Sequence, residues 1–158
     1  MSQAKPITRV VYDAMPNCTY GAQPDFTRAT NYQNVWWVPA GAESGWGLVL
    51  THQGDTIFAG WFTYDADGTP LWLSATAPKS AAGVYAGTLI RTTGPAFNAV
   101  PWDPNRVTRT PVGTMTLTFA NGNSGMFSYA VNTSAGTVTQ AKALTRVLFA
   151  APSGTLCQ

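Results

Sequence analysis

The sequence predicts an all-β protein: an antiparallel meander closing into a small barrel of about eight strands, with negligible helix and a two-sheet β-sandwich as the alternative. Three observations lead there. No segment keeps apolar residues at i, i+3, i+4 and i+7 for three turns without a Gly or Pro. Strand-like runs recur at short intervals, joined by links rich in Gly, Asn and Asp. Several runs are apolar on both faces, and closure removes the edges that such a sheet could not safely expose.

Nine runs qualify in order: residues 7–12, 35–38, 45–51, 56–64, 70–76, 83–92, 112–119, 125–131 and 138–149. Trp46, Leu48 and Leu50 share one face of their run, and Ile57, Ala59 and Trp61 share one face of the next. The opposite faces hold Val49, Phe58 and Phe62. Gln53-Gly54-Asp55 and Asp65-Ala66-Asp67-Gly68 read as hairpin turns, as do Asn121-Gly122-Asn123 and residues 132–136. Gly and Asn there tolerate the positive φ of tight hairpins. Residues 93–110 differ, with three prolines and no alternation. They read as a long connection over one end of the barrel, carrying Trp102.

Composition bounds the function. A chain of 158 residues fits one domain, and with 45% hydrophobic and 10% charged residues it should fold. Its net charge of +2 comes from scattered residues, which argues against nucleic acid and anionic membrane surfaces as partners. No apolar run approaches a membrane span of roughly 20 residues, so no membrane insertion is expected. The opening MSQAKPITR is not a signal peptide, so a leader for export would have been removed or would lie outside this chain. Cys18 and Cys157 stand near the two ends without a CxxC motif. With a single histidine beside them, a disulfide formed in an oxidising compartment is the better reading than a metal site. The expected location is extracellular or at a cell surface.

One repeat is internal. Residues 5–12 (KPITRVVY) align with residues 142–149 (KALTRVLF), each followed by a Pro and then a Cys. Residues 1–13 therefore read as a strand resembling the end of a preceding repeat, and 14–158 as a single barrel-like domain. The motifs WWxP, ESGWGxxLTHQGD, WFTYDxxGxPLWL, RTTGPxF, PVGxxTLTF and TRxxF resemble an essentially uncharacterised module, tandemly repeated in secreted bacterial proteins. The resemblance spans residues 5 to 157 and implies an extracellular location and repetition, but no activity. The GWG step at Gly45-Trp46-Gly47 is also faintly similar to the first barrel strand of lipocalin- and avidin-type proteins.

The chemistry favours binding over catalysis. No GxSxG serine elbow is present. A hydrolase would have to draw on Glu43, His52 and Asp55, and a glycosidase on Glu43 opposite an aspartate that a turn already explains. Asp65-x-Asp67-Gly68 begins like a calcium loop but lacks the later ligands, so neither metal nor cofactor is expected. Trp36 and Trp37 are neighbours on a strand and cannot both face inward. An exposed Trp among Asn, Gln and Asp suits the apolar face and hydroxyls of a sugar, and equally a protein interface. The expected function is a non-enzymatic extracellular module binding glycans or another neutral ligand through Trp36 or Trp37, Glu43, His52, Gln53, Asp55 and Trp102. The alternative is a structural repeat of an adhesin or fibre, with residues 5–12 adding as a strand to a neighbouring copy.

Overall fold

The computed structural model describes residues 2–19, 26–149 and 156–158. Eight strands form a closed antiparallel barrel: β2 (Asn34–Trp37), β3 (Gly47–Gln53), β4 (Thr56–Tyr64), β5 (Pro70–Ala81), β6 (Val84–Thr93), β7 (Thr108–Asn121), β8 (Ser124–Thr133) and β9 (Gly136–Arg146). Each pairs with the next, and β9 returns to β2. A separate two-stranded ladder joins β1 (Cys18–Thr19) to β10 (Leu156–Cys157), with Cys18 opposite Cys157. These cysteines are disulfide-bonded across 139 positions of sequence. The only helices among the described residues are two single 3-10 turns, Pro39–Gly41 and Pro104–Arg106.

Alternation along the strands builds the core. Leu48, Trp61 and Leu73 lie side by side on neighbouring strands and are buried, while Phe62 and Trp72, one residue away, are exposed. β7 runs through Pro111 because its ladder with β6 shifts register between Leu89 and Ile90. The missing proline N–H falls at that irregularity, where a ladder tolerates it.

One end of the barrel is plugged. Residues 26–33 cross it and place Tyr32 against Phe119, ring centroids 3.8 Å apart, with Tyr85 and His52 around them. Arg146 ties the plug to the barrel. Its guanidinium donates to the carbonyls of Gly122 (2.6 Å), Gln33 (2.8 Å) and Asn31 (3.0 Å) and lies over the Trp36 ring. Gly122 has no side chain because the Phe26 carbonyl occupies the place a Cβ would take.

The expected first strand over residues 7–12 does not form. That stretch runs outside the barrel in irregular conformation, and Ile7 is 95% exposed. The two strands it could have joined, β2 and β9, are already paired with each other. It is pinned instead by the Gln53 side chain, whose Oε1 accepts the Tyr12 N–H (2.9 Å) and whose Nε2 donates to the Val10 carbonyl (3.1 Å). The expected last strand over 138–149 starts earlier and ends at Arg146, beyond which the Val147 N–H still donates to Val35 (2.8 Å).

Candidate binding cavity

The opposite end is open. The β4–β5, β6–β7 and β8–β9 connections meet there, together with residues 38–46 between β2 and β3. Inside the mouth lies a cavity of about 470 Å³. Its wall takes Trp61 from β4, Leu71 and Leu73 from β5, Val112 from β7, and Tyr129 and Val131 from β8. These are the inward residues of their strands, continued past the filled core, so alternation makes this part of the wall apolar.

Trp61 is the centre of this wall. Its ring packs edge-on against Phe127 (5.0 Å) and tilted against Tyr129 (4.5 Å). The side chain is 6% exposed, and its indole N–H is buried without a hydrogen-bond partner. Tyr129, by contrast, is satisfied: its hydroxyl donates to the Gln140 carboxamide. Burial raises the Tyr129 hydroxyl above its ordinary pKa, so it stays neutral. At the rim Arg91 pairs with Asp65 at 3.3 Å. The lining is mixed, with Thr63, Tyr64, Asp65, Arg91, Asn132, Thr133 and Ser134 beside the apolar wall, and a chamber of this volume combining apolar and polar groups is a usual form of a small-molecule site.

The residues expected to form a site do not converge. Trp36 is fully buried beneath Arg146, whereas Trp37 is 38% exposed on the outer wall. Trp102 lies on the 94–107 connection, with the Lys5 ammonium 5.3 Å from its ring. None of residues 94–107 lines the cavity, so the expected connection over one end leaves the mouth open. Glu43 sits on the 38–46 link, accepting from Lys142 Nζ (2.8 Å) and Trp46 Nε1 (3.0 Å). The Lys142 ammonium, then the Trp46 N–H, holds its carboxyl below the usual range.

His52, Gln53 and Asp55 belong to the plugged end. His52 is 3% exposed, its Nδ1 accepts the Tyr32 N–H (3.0 Å), and burial lowers its pKa. Asp55 pairs with Lys79 (2.9 Å). Five steps of β3 separate His52 from Gly47, roughly 17 Å along the strand, and Glu43 lies beyond Gly47 on the 38–46 link, too far for a shared catalytic step. Among the described residues no cluster of three or more His, Cys, Asp or Glu could hold a metal.

A larger groove of about 870 Å³ runs between the N-terminal segment and β3. Its wall includes Gln53 and Tyr12, whose polar groups are bonded to each other and to Thr51, and His52, whose Nε2 has no partner. Its shape depends on a segment held by side chains, whereas strands fix the mouth cavity; the latter is the better-formed site. Trp61 could be read from the sequence only as core filling, because nothing in a strand pattern tells which inward residue ends at a void. The sequence matches no protein-family model and no curated protein.

Proposed function

We propose that this protein is a non-catalytic module that binds a small neutral ligand inside the open mouth of its barrel. The observation that carries the reading is the preformed cavity of about 470 Å³ whose wall includes Trp61, Leu71, Leu73, Val112 and Val131. The disulfide supports a working location outside the reducing cytosol, extracellular or at a cell surface. The test uses the neutral dye N-phenyl-1-naphthylamine. The expected result is a saturable rise in dye fluorescence at one equivalent, abolished by Val131→Trp, which fills the cavity. No saturable signal, or a signal unchanged in a folded Val131→Trp protein, would reject the reading.

A second reading, carbohydrate contact, draws on the outer wall. Trp37, Phe62 and Trp72 face outward at one level of the barrel, with Trp72 66% exposed and Phe62 packed edge-on against it at 5.2 Å. Exposed aromatic rings among neutral side chains suit sugar faces. Affinity electrophoresis in polysaccharide-loaded gels checks it: retardation weakened by Trp72→Ala would support it, and unretarded migration in every gel would remove it.

A further inference from the structure

At the seam, where β9 returns to β2, the barrel is laddered only near its plugged end. Trp36 lies opposite Arg146 and Trp37 opposite Thr145, and the Val147 N–H donates to Val35. The odd-numbered residues of β9 therefore turn their backbone groups to the seam. The even-numbered ones bond β8, as the Arg146 N–H does to Asn123. In this register the next seam position sets Ala143 opposite Pro39, which has no N–H and whose carbonyl accepts from Ala42. The ladder stops there. Toward the mouth, the N–H and C=O groups of Thr137, Thr139 and Ala141 have no partner among the described residues, and every residue from 136 to 141 is exposed. This edge has no proline and no bulge to guard it, and the neighbouring charge, Lys142, is held by Glu43.

Resting on the mouth-cavity reading above, we infer that this edge binds an extended, uncharged peptide segment as an added antiparallel strand, with one apolar side chain entering the cavity. Backbone donors and acceptors that recur at every second residue, roughly 7 Å apart, are matched along their length by another extended backbone. Antiparallel addition follows both existing neighbours of β9. The even-numbered side chains of β9 face inward, and Val138 among them lines the mouth cavity. In an added strand, the residue opposite Val138 presents its side chain on the same inward face. The cavity wall is drawn from β4 to β9 and from none of residues 38–46, so its unwalled side is the seam. Leu71 and Val131 offer an entering side chain apolar contact, while Thr63, Asn132 and Ser134 suit neutral polar neighbours. Lys142 is paired with Glu43 and Arg91 with Asp65, so the mouth calls for no charged ligand.

The probe is acetyl-Thr-Ser-Thr-Leu-Thr-amide, titrated into ¹⁵N- and methyl-labelled protein. In the antiparallel register its leucine lies opposite Val138 and its central threonine opposite Thr139. The expected result is saturable movement of the Thr139 and Ala141 amide signals together with the Val131 and Val138 methyls. N-methylating the central threonine removes an N–H aimed at β9 and should weaken binding at least about tenfold. N-methylating the leucine, whose N–H points away from β9, should leave the affinity nearly unchanged. Thr139→Pro removes an edge donor that no ladder uses, so the barrel should fold, keep the dye and lose the peptide. Equal losses from the two N-methylations, edge amides that shift while the methyls stay still, or no edge shift in a protein that binds the dye would each overturn the inference and leave the cavity reading standing. If the dye too leaves the Val131 and Val138 methyls unmoved, the cavity reading itself fails and this inference with it. Should Thr139→Pro fail to fold, the two N-methylated peptides decide on the native protein. Protection of the Thr139 amide that rises with protein concentration before any peptide is added would place a second copy on the edge and overturn the peptide reading.

Discussion

At the residue scale, His52 shows how a polar side chain in an apolar plug is made to serve structure. Its ring stacks on Tyr32 at 5.6 Å and meets Tyr85 edge-on at 5.1 Å, while Nδ1 accepts the Tyr32 N–H. Accepting at Nδ1 requires the neutral imidazole with its proton on Nε2. Burial holds the folded pKa below the ordinary 6.5, so on acidification the unfolded chain takes up a proton before the folded one does. The stability this residue contributes is present above about pH 6.5 and is lost as the pH falls through the folded value. The melting temperature should therefore decline between pH 7 and pH 5. In His52→Phe that slope should flatten, while the unpaired Tyr32 N–H lowers stability at pH 7 by about 1–3 kcal/mol. Calorimetry of both proteins across this range checks the pair of outcomes, and an unchanged slope in the variant would refute the assignment.

At the element scale, the seam of the barrel is uneven. β2 has four residues and meets β9 only at Trp36 opposite Arg146 and Trp37 opposite Thr145. Past Trp37 the chain leaves the ladder through residues 38–46, with Ala40, Gly41 and Gly45 at positive φ. The Lys142–Glu43 ion pair, backed by Trp46, spans from β9 to this link where no ladder continues. The pair is solvent-screened, so its loss should cost little global stability. Its effect is expected to be local. In Glu43→Gln, hydrogen exchange should quicken over residues 38–46 while the amides of β7 and β8 keep their protection. Uniform acceleration across the barrel would show instead that the pair supports the whole fold.

At the scale of the whole molecule, residues 10–18 and the C-terminal strand are fastened to the plugged end, while residues 3–5 reach the 94–107 connection at the other end. The Asp13 carboxylate accepts from the Asp55 N–H and the Thr56 hydroxyl, both at 3.2 Å, and Gly54 N–H donates to the Ala14 carbonyl at 2.6 Å. Gly54 is needed there, since its φ is +52° and the Asp13 carboxylate fills the space beside it. Together with Gln53, these bonds make residues 10–14 part of this barrel's own end. Deleting residues 1–13 should lower the melting temperature of the monomer by several degrees, since each 1 kcal/mol moves it about 2–4 °C at this size. An unchanged melting temperature with loss of larger assemblies would instead favour residues 5–12 linking neighbouring copies. Reducing the disulfide of the full chain should cost a further 2–5 kcal/mol or so, because it closes most of the sequence into one loop.

Much of this architecture was legible in the residues. The turns at Gly54 and Gly68 and the inward rows Leu48–Leu50 and Ile57–Trp61 placed β3 and β4 closely, and the cysteine count led to the disulfide. Two-residue periodicity and turn chemistry are local properties, so the sequence by itself determined that this chain forms an all-β meander with a stapled pair of ends. Other properties are not local. Residues 7–12 carry the same pattern as β9, yet β2 already holds the position at the seam, and a closed ring has one place per strand. His52, Gln53 and Glu43 lie close in sequence, yet β3 sends them to opposite ends of the barrel. Trp61 reads like any inward aromatic, and only the packing of several strands around it puts its side chain in the wall of a cavity. Tertiary structure decided which end is filled and which is open, because filling depends on the summed volume of side chains that meet only after the barrel has closed.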